Sequence, residues 1–284
     1  MFWQTSRFRI DLARPQVMGI VNATPDSFSD GGRHAGVQAA LRHCERLLQE
    51  GAHILDIGGE STRSGSPAVP LEEELARVLP VVREAVRLGV PVSVDTYKSA
   101  VMQQVLDLGA DIVNDIWALR QPGAAQAVAA HPTCGVCLMH MHRDPQTMQA
   151  LPMEGDVLPQ VLSFLELQAQ ALQGLGVEKA RIVLDPGIGF GKTVAQNFAL
   201  LARQQALRAS GYPVLAGWSR KSSLGAVTGL EVGERLIPSV AAALLAVQQG
   251  ARIVRVHDVR ETVAALAVWQ AMQEQQEANG GEPQ

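Results

Sequence analysis

The chain has 284 residues, 47% of them hydrophobic, and a formal net charge of −4, which is enough apolar material for a large core and no electrostatic case for nucleic acid as a partner. Its apolar runs are far shorter than the ~20 residues of a membrane-spanning helix, so no membrane partner is expected either. Residues 2–12 break their apolar pattern with Arg7, Arg9 and Asp11, unlike a secretory leader, and three cysteines cannot all pair; the expectation is a cytoplasmic protein acting on small molecules.

In chain order, a short N-terminal extension (2–12) precedes a β-branched strand at 17–22, a long polar loop ATPDSFSDGGRH, and an amphipathic helix at 38–50. A strand at 53–57 leads into a second long loop, GGESTRSGSPAVP, then a helix at 71–88. Strands at 92–95, 112–115 and 136–139 alternate with helical patterns at 98–108, 122–130 and 161–175. The series ends with strands at 181–185, 214–217 and 252–256 and helices at 196–209, 239–249 and 259–273. Eight strands, each followed by a helical pattern or a polar motif, predict an α/β fold, a (β/α)8 TIM barrel with a short N-terminal extension. No Pro- or Ser-rich linker divides the chain, so residues 1–284 read as one domain with a core of about 15–275, the extension and a polar tail at 279–284 lying outside it. Three joints, Glu50-Gly51-Ala52, Leu108-Gly109-Ala110 and Gln249-Gly250-Ala251, place glycine where a helix ends in a left-handed cap before the next strand. Cys134 and Cys137 form a CxxC, but on the apolar run TCGVCLM and without a second ligand pair, so they read as a buried strand rather than a zinc site.

The strand ends carry the chemistry. Asn22, Asp56, Asp95, Asn114, Asp115, His140, Asp185, Ser219 and His257 stand at or just past the apolar runs. Singly, such residues serve as helix caps. In a parallel barrel all those ends meet at one face, so together they predict a polar pocket overhung by the two long loops. Arg255 and His257, two residues apart, share a face.

Six motifs in this order, GIVNATPDSFSDGG, DIGGESTRSG, SVDTYK, DPGIGFGKT, SRKSSLG and RVHDV, closely resemble the dihydropteroate synthase family over nearly the whole chain. The GKT ending is not a phosphate-binding P-loop, because the spacing of that motif puts a glycine where Pro186 stands; Lys192 is then expected on the surface. The resemblance implies condensation of hydroxymethyl-dihydropterin pyrophosphate with p-aminobenzoate to dihydropteroate and pyrophosphate, by SN1-like displacement, in folate biosynthesis. It implies that Asp95, Asn114, Asp185 and Lys221 bind the pterin, with Phe190 packed nearby. A carboxylate suits the guanidine-like donor edge of that ring, and a lysine its acceptor atoms. By the same resemblance Arg255 and His257 meet the pyrophosphate, Asn22 helps to hold Mg2+, and Thr62, Arg63, Pro25, Phe28 and Ser219 contact p-aminobenzoate and the sulfonamides that inhibit the family. The catalytic set is thus Asn22, Asp95, Asp185, Lys221, Arg255 and His257, in a homodimer as relatives commonly are.

Two other readings compete. A barrel moving a methyl group from a folate to a corrinoid would share the ring pocket but would not need Pro25, Phe28, Thr62 and Arg63 for an arylamine. A non-catalytic pterin-binding protein would not need Asn22, Asp185, Lys221, Arg255 and His257 all present. The chain departs from the family pattern at Tyr97 and Ser99, in NDIWALR, at His142 and Arg143, and at Ser64, where the second loop usually has proline. Proline locks φ and serine does not. A Ser64→Pro variant is therefore expected to change the ratio of sulfonamide to p-aminobenzoate affinity; equal ratios in inhibition assays of the two proteins would refute it.

Overall fold

The computed structural model describes residues 1–23, 32–62, 65–145, 147–148 and 150–280. A hairpin of β1 (Phe2–Gln4) and β2 (Arg9–Asp11) opens the chain. Then follow β3 (Gln16–Asn22), α1 (Gly32–Gln49), β4 (Ile54–Gly58), α2 (Leu71–Ala85), β5 (Val92–Asp95), α3 (Ser99–Asp107), β6 (Ile112–Asp115) and α4 (Ala124–Ala130). The second half runs β7 (Gly135–Met139), α5 (Val157–Gly174), β8 (Ile182–Asp185), α6 (Val194–Ala202), β9 (Leu215–Ala216), α7 (Ser222–Thr228), α8 (Leu236–Gln248), β10 (Ile253–Val256) and α9 (Val259–Gly280). Strands β3 to β10 pair in parallel in the order β8-β7-β6-β5-β4-β3-β10-β9. A parallel bridge between Leu184 and Val214 brings the two ends of that sheet together, so the strands run round in sequence order as a (β/α)8 barrel.

Side chains alternate in and out along each strand, and the two sets differ in chemistry. Outward residues such as Val17, Val21, Leu55, Ile57, Val92, Val94, Val254 and Val256 pack against α1, α2, α3, α8 and α9. Inward, the first layer is apolar apart from Ser93: Met18, Ile54, Ile112, Cys137, Val183, Leu215 and Ile253. Two residues further along, the inward positions become Asp56, Asp95, Asn114, Asp185 and Arg255, with Asp95 beside Asn114 in register. One alternation in sequence thereby yields an apolar floor and a polar mouth. The glycine joints behave as their spacing predicts: Gly51, Gly109 and Gly250 have φ of +99°, +95° and +94°.

The N-terminal extension is not outside the core. Trp3, Ile10 and Leu12 join the first inward layer and close the barrel floor, and the Trp3 indole donates to the Arg181 carbonyl at 2.9 Å. With its apolar residues interrupted by arginines, the segment reads as a tail, whereas hairpin pairing sends Trp3 and Ile10 to one face and the charges to the other. The pattern at 196–209 also divides, into α6 and a 3₁₀ segment at Gln204–Ser210, and α7 arises within a motif that has no helical periodicity. Cys134 and Cys137 are buried on and beside β7, and burial raises both thiol pKa values. Replacing Trp3 by Ala is expected to cost about 3–5 kcal/mol, the loss typical of a buried aromatic; urea unfolding showing a change under about 1 kcal/mol would contradict the closing role given to the hairpin.

Candidate active site

A cavity of about 350 Å³ opens at the C-terminal ends of the strands. Asn22 reaches it from the end of β3, Asp95 from β5, Asn114 from β6, Asp185 from β8, Arg255 from β10 and His257 just beyond it. Thr62, Phe190, Ser219 and Lys221 line it from the loops. Every sequence-derived site residue that is described therefore comes to one place. Pro25, Phe28, Arg63 and Ser64 lie outside the described residues.

At the bottom, Arg255 ties two carboxylates together. Its Nε donates to Asp56 Oδ2 at 2.6 Å and its Nη2 to Asp95 Oδ2 at 2.7 Å, while Asn114 Nδ2 donates to the same Asp56 oxygen at 3.2 Å. The sequence reading set Arg255 beside His257 to face pyrophosphate. The structure instead turns its guanidinium toward the carboxylates, because an arginine side chain on an inward position of β10 meets the inward Asp56 and Asp95 across the barrel. Both residues still line the same cavity.

Burial governs the charges. The Asp95 carboxyl is pushed up to about 7, mainly by burial; Arg255 opposes the shift, and Asp56, Asp115 and Glu74 add to it. Asp185 is also raised by burial, against the opposing Gly187 N–H, which donates to its Oδ1 at 2.7 Å, and the charges of Lys221, Lys192 and Arg255. The Arg255 pKa rises because Asp56 and Asp95 outweigh its burial.

The upper wall comes from the turn after β8. Phe190 N–H closes it onto the Gly187 carbonyl at 3.1 Å, with Gly189 at φ +81° in the position that a type II turn reserves for glycine. Lys221, at the start of α7, lies over it: its Nζ is 4.2 Å from the centre of the Phe190 ring, and a Cβ on Gly189 would come within 3.3 Å of the Lys221 side chain. Beside it, Ser219 Oγ lies 2.9 Å from His257 Nδ1 and accepts from the His257 backbone N–H at 3.1 Å. Ser219 thus orients the histidine as well as lining the cavity.

This geometry has close parallels among known proteins. The profile of the pterin binding enzyme family matches residues 18–257. The dihydropteroate synthase of Neisseria meningitidis serogroup B is 50% identical over 276 residues, covering 95% of this chain and 97% of its own length. The chain belongs to the dihydropteroate synthase family. Among solved dihydropteroate synthases, the Burkholderia cenocepacia enzyme complexed with 7,8-dihydropteroate superposes with a TM-score of 0.90 at 52% identity, covering 98% of both chains. The Xanthomonas albilineans enzyme with 4-aminobenzoic acid gives 0.87 at 52% identity, over 93% of this chain and 95% of its own.

For a member of the dihydropteroate synthase family, two positions in the structure go beyond the sequence reading, while Asp56, already expected in the polar pocket, carries two of the contacts at the cavity floor. Ser222, next to Lys221, lines the cavity from the first turn of α7. Lys192 is not on the surface but 2% exposed, behind the Gly187 turn, and nothing in a polar GKT motif indicates that.

A pH dependence follows from the raised carboxyls. Asp95 is protonated below about 7, where it cannot accept two N–H bonds, and ionised above, so affinity for a pterin is full at high pH and lost as pH falls through that value. Calorimetric titration with hydroxymethylpterin is expected to show binding weakening from about pH 8 to about pH 6; constant affinity across that span would contradict this.

Proposed function

We propose that this chain forms dihydropteroate from hydroxymethyl-dihydropterin pyrophosphate and p-aminobenzoate, releasing pyrophosphate, as a transferase of folate biosynthesis. The observation that carries the reading is the gathering of Asp95, Asn114, Asp185 and Lys221 in one cavity with Arg255, His257 and Asn22 at its floor and rim.

The buried carboxylates and Asn114 accept and match the donor edge of the pterin, while Lys221 reaches its acceptor atoms and Phe190 offers an apolar face. With the ring seated, the methylene C–O bond to pyrophosphate breaks ahead of attack, and the electron-rich ring delocalises the positive charge. His257 and Lys221 offset the negative charge on the departing group, while Arg255 holds the carboxylates Asp56 and Asp95 at the floor. The amine nitrogen of p-aminobenzoate then forms the C–N bond and releases its proton. Its lone pair is free at neutral pH, so placement against the methylene contributes more than a base would. Thr62, Arg63, Pro25, Phe28 and Ser219 belong to that placement, and sulfonamides, which mimic the arylamine, are the corresponding inhibitors.

Mg2+ is part of the proposal. Among the described residues no group of three or more His, Cys, Asp or Glu is set to hold a metal, and Asn22 stands at the exposed rim. That donor set fits an ion that takes a single amide oxygen from the protein and its other ligands from phosphate and water. Bound there, Mg2+ would disperse charge on the pyrophosphate. Among the described residues no helix is long and apolar enough to cross a membrane. We place the protein in the cytoplasm, where Cys44, Cys134 and Cys137 remain free thiols, and read the exposed apolar residues Ile237, Leu245 and Val268 on α8 and α9 as the face that pairs two copies.

The test is conversion of labelled p-aminobenzoate into dihydropteroate with pterin pyrophosphate and Mg2+. The wild-type chain is expected to turn over, and Asp185→Asn and Lys221→Ala each to lower kcat/KM by at least about 100-fold. A wild-type chain that binds pterin but forms no product would overturn the reading.

A further inference from the structure

Behind the cavity wall lies a buried cation that the reaction does not use. Lys192 is 2% exposed, and no carboxylate lies within ion-pair distance of it among the described residues. Its Nζ instead meets the Gly187 carbonyl at 2.9 Å, the Phe190 carbonyl at 3.2 Å and His140 Nδ1 at 2.9 Å, with the His140 carbonyl further off at 3.4 Å. An ammonium has three hydrogens, and the three shorter contacts take one each. Two of those acceptors are the two ends of the turn whose other side presents Ile188, Gly189 and Phe190 to the cavity.

The turn is also pressed onto the end of β7. A Cβ on Gly187 would sit 1.8 Å from the His140 carbonyl oxygen, and one on Gly191 would sit 2.6 Å from the His142 Cβ. Glycines alone permit that approach but leave the turn free in φ; the lysine supplies what fixes it. His140 is in the right state to accept. Burial, then Lys192, Arg120 and His142, hold its pKa down to about 2, so the ring is neutral, and the Phe164 ring packs against it edge-on at 5.0 Å. Burial lowers Lys192 itself to about 7, with Asp185 opposing that shift and Lys221 adding to it.

We propose that Lys192 is a positioning residue for pterin binding: with His140 as its fixed acceptor, it pins the Gly187 and Phe190 carbonyls from behind and so holds Gly189 and Phe190 against Lys221 as a rigid wall for the ring. The inference rests on the proposed function for the identity of the ligand. Its physical content is that the wall is set by a cation that never touches substrate.

The test compares the full-length wild type with Lys192→Met, which keeps an unbranched side chain one atom shorter and removes its donors. In steady-state assays KM for the pterin pyrophosphate is expected to rise at least about tenfold while kcat falls less than about threefold, the signature of lost ground-state binding. Hydrogen exchange should quicken at the amides of 187–191 and stay unchanged in β7 and β8. A KM within about twofold of wild type, or KM and kcat changing together with faster exchange throughout both strands, would overturn the proposal. Direct titration with hydroxymethylpterin separates this from the function itself: a wild type that makes no product but binds the pterin more tightly than Lys192→Met sinks the proposed reaction and leaves Lys192 in its role. Where Lys192→Met does not fold, His140→Gln and His140→Leu decide. Glutamine retains an acceptor for the ammonium and leucine does not, so pterin affinity should be near wild type in the first and reduced in the second; equal affinities would reject the pin.

Discussion

Asp95 and Asp185 end two strands of an apolar barrel and Asp56 sits in the middle of a third, each less than a tenth exposed, and the guanidinium of Arg255 lies against Asp56 and Asp95. Carboxylates at that depth are costly: removing the partner of a buried ion pair typically costs about 3–5 kcal/mol, because an uncompensated charge stays behind. Arginine suits the place better than lysine. It stays protonated, and its planar fork can serve two carboxylates on different strands at once. The pair of bonds also ties β10 to β4 and β5 across the mouth, so the same contacts that make the acidic floor tolerable set its shape. Without that cation the Asp95 and Asp185 carboxyls would move further toward their neutral forms and lose the capacity to accept a donor edge.

Above this floor the site is built from turns whose geometry is imposed from outside. Asp185 receives the Gly187 N–H, Asn197 Oδ1 receives the Gly189 N–H, and Asn197 in turn donates to Ser223 Oγ in α7. The turn after β8 and the helix that carries Lys221 are therefore fastened to each other. A second polar network does the same for the other side of the mouth: Lys98 pairs with Glu60 and Glu74, the latter at 2.5 Å, and Thr96 donates to Glu74 at 2.7 Å, anchoring the start of the loop that leads to Thr62. These groups tend to fix the walls in advance, so binding has less to organise.

The barrel was readable because its two periodicities are clean. Strands such as Val92–Asp95 and Ile112–Asp115 match their sequence limits, and alternation puts Asp95 and Asn114 on one side without any knowledge of a ligand. What local pattern cannot show is which neighbour a side chain meets across the barrel. Arg255 and His257 share a strand direction, yet one turns to Asp56 and Asp95 and the other to Ser219, a choice made by tertiary packing. Lys192 is the sharper case. A lysine in a polar glycine motif reads as solvated, since isolated buried lysines are rare, and only the convergence of two carbonyls and a neutral imidazole makes its burial intelligible. The hairpin at the N-terminus escaped for a related reason: three-residue strands carry too little alternation to register, though Trp3 is fully buried.

That hairpin gives the barrel a stopper. The inward layer already fills the tube, and Trp3, Ile10 and Leu12 seated beneath it thicken that seal, so the well is shut below and opens only where the strands end. The route of the chain's first twelve residues thereby reinforces the side of the molecule that lies opposite the cavity.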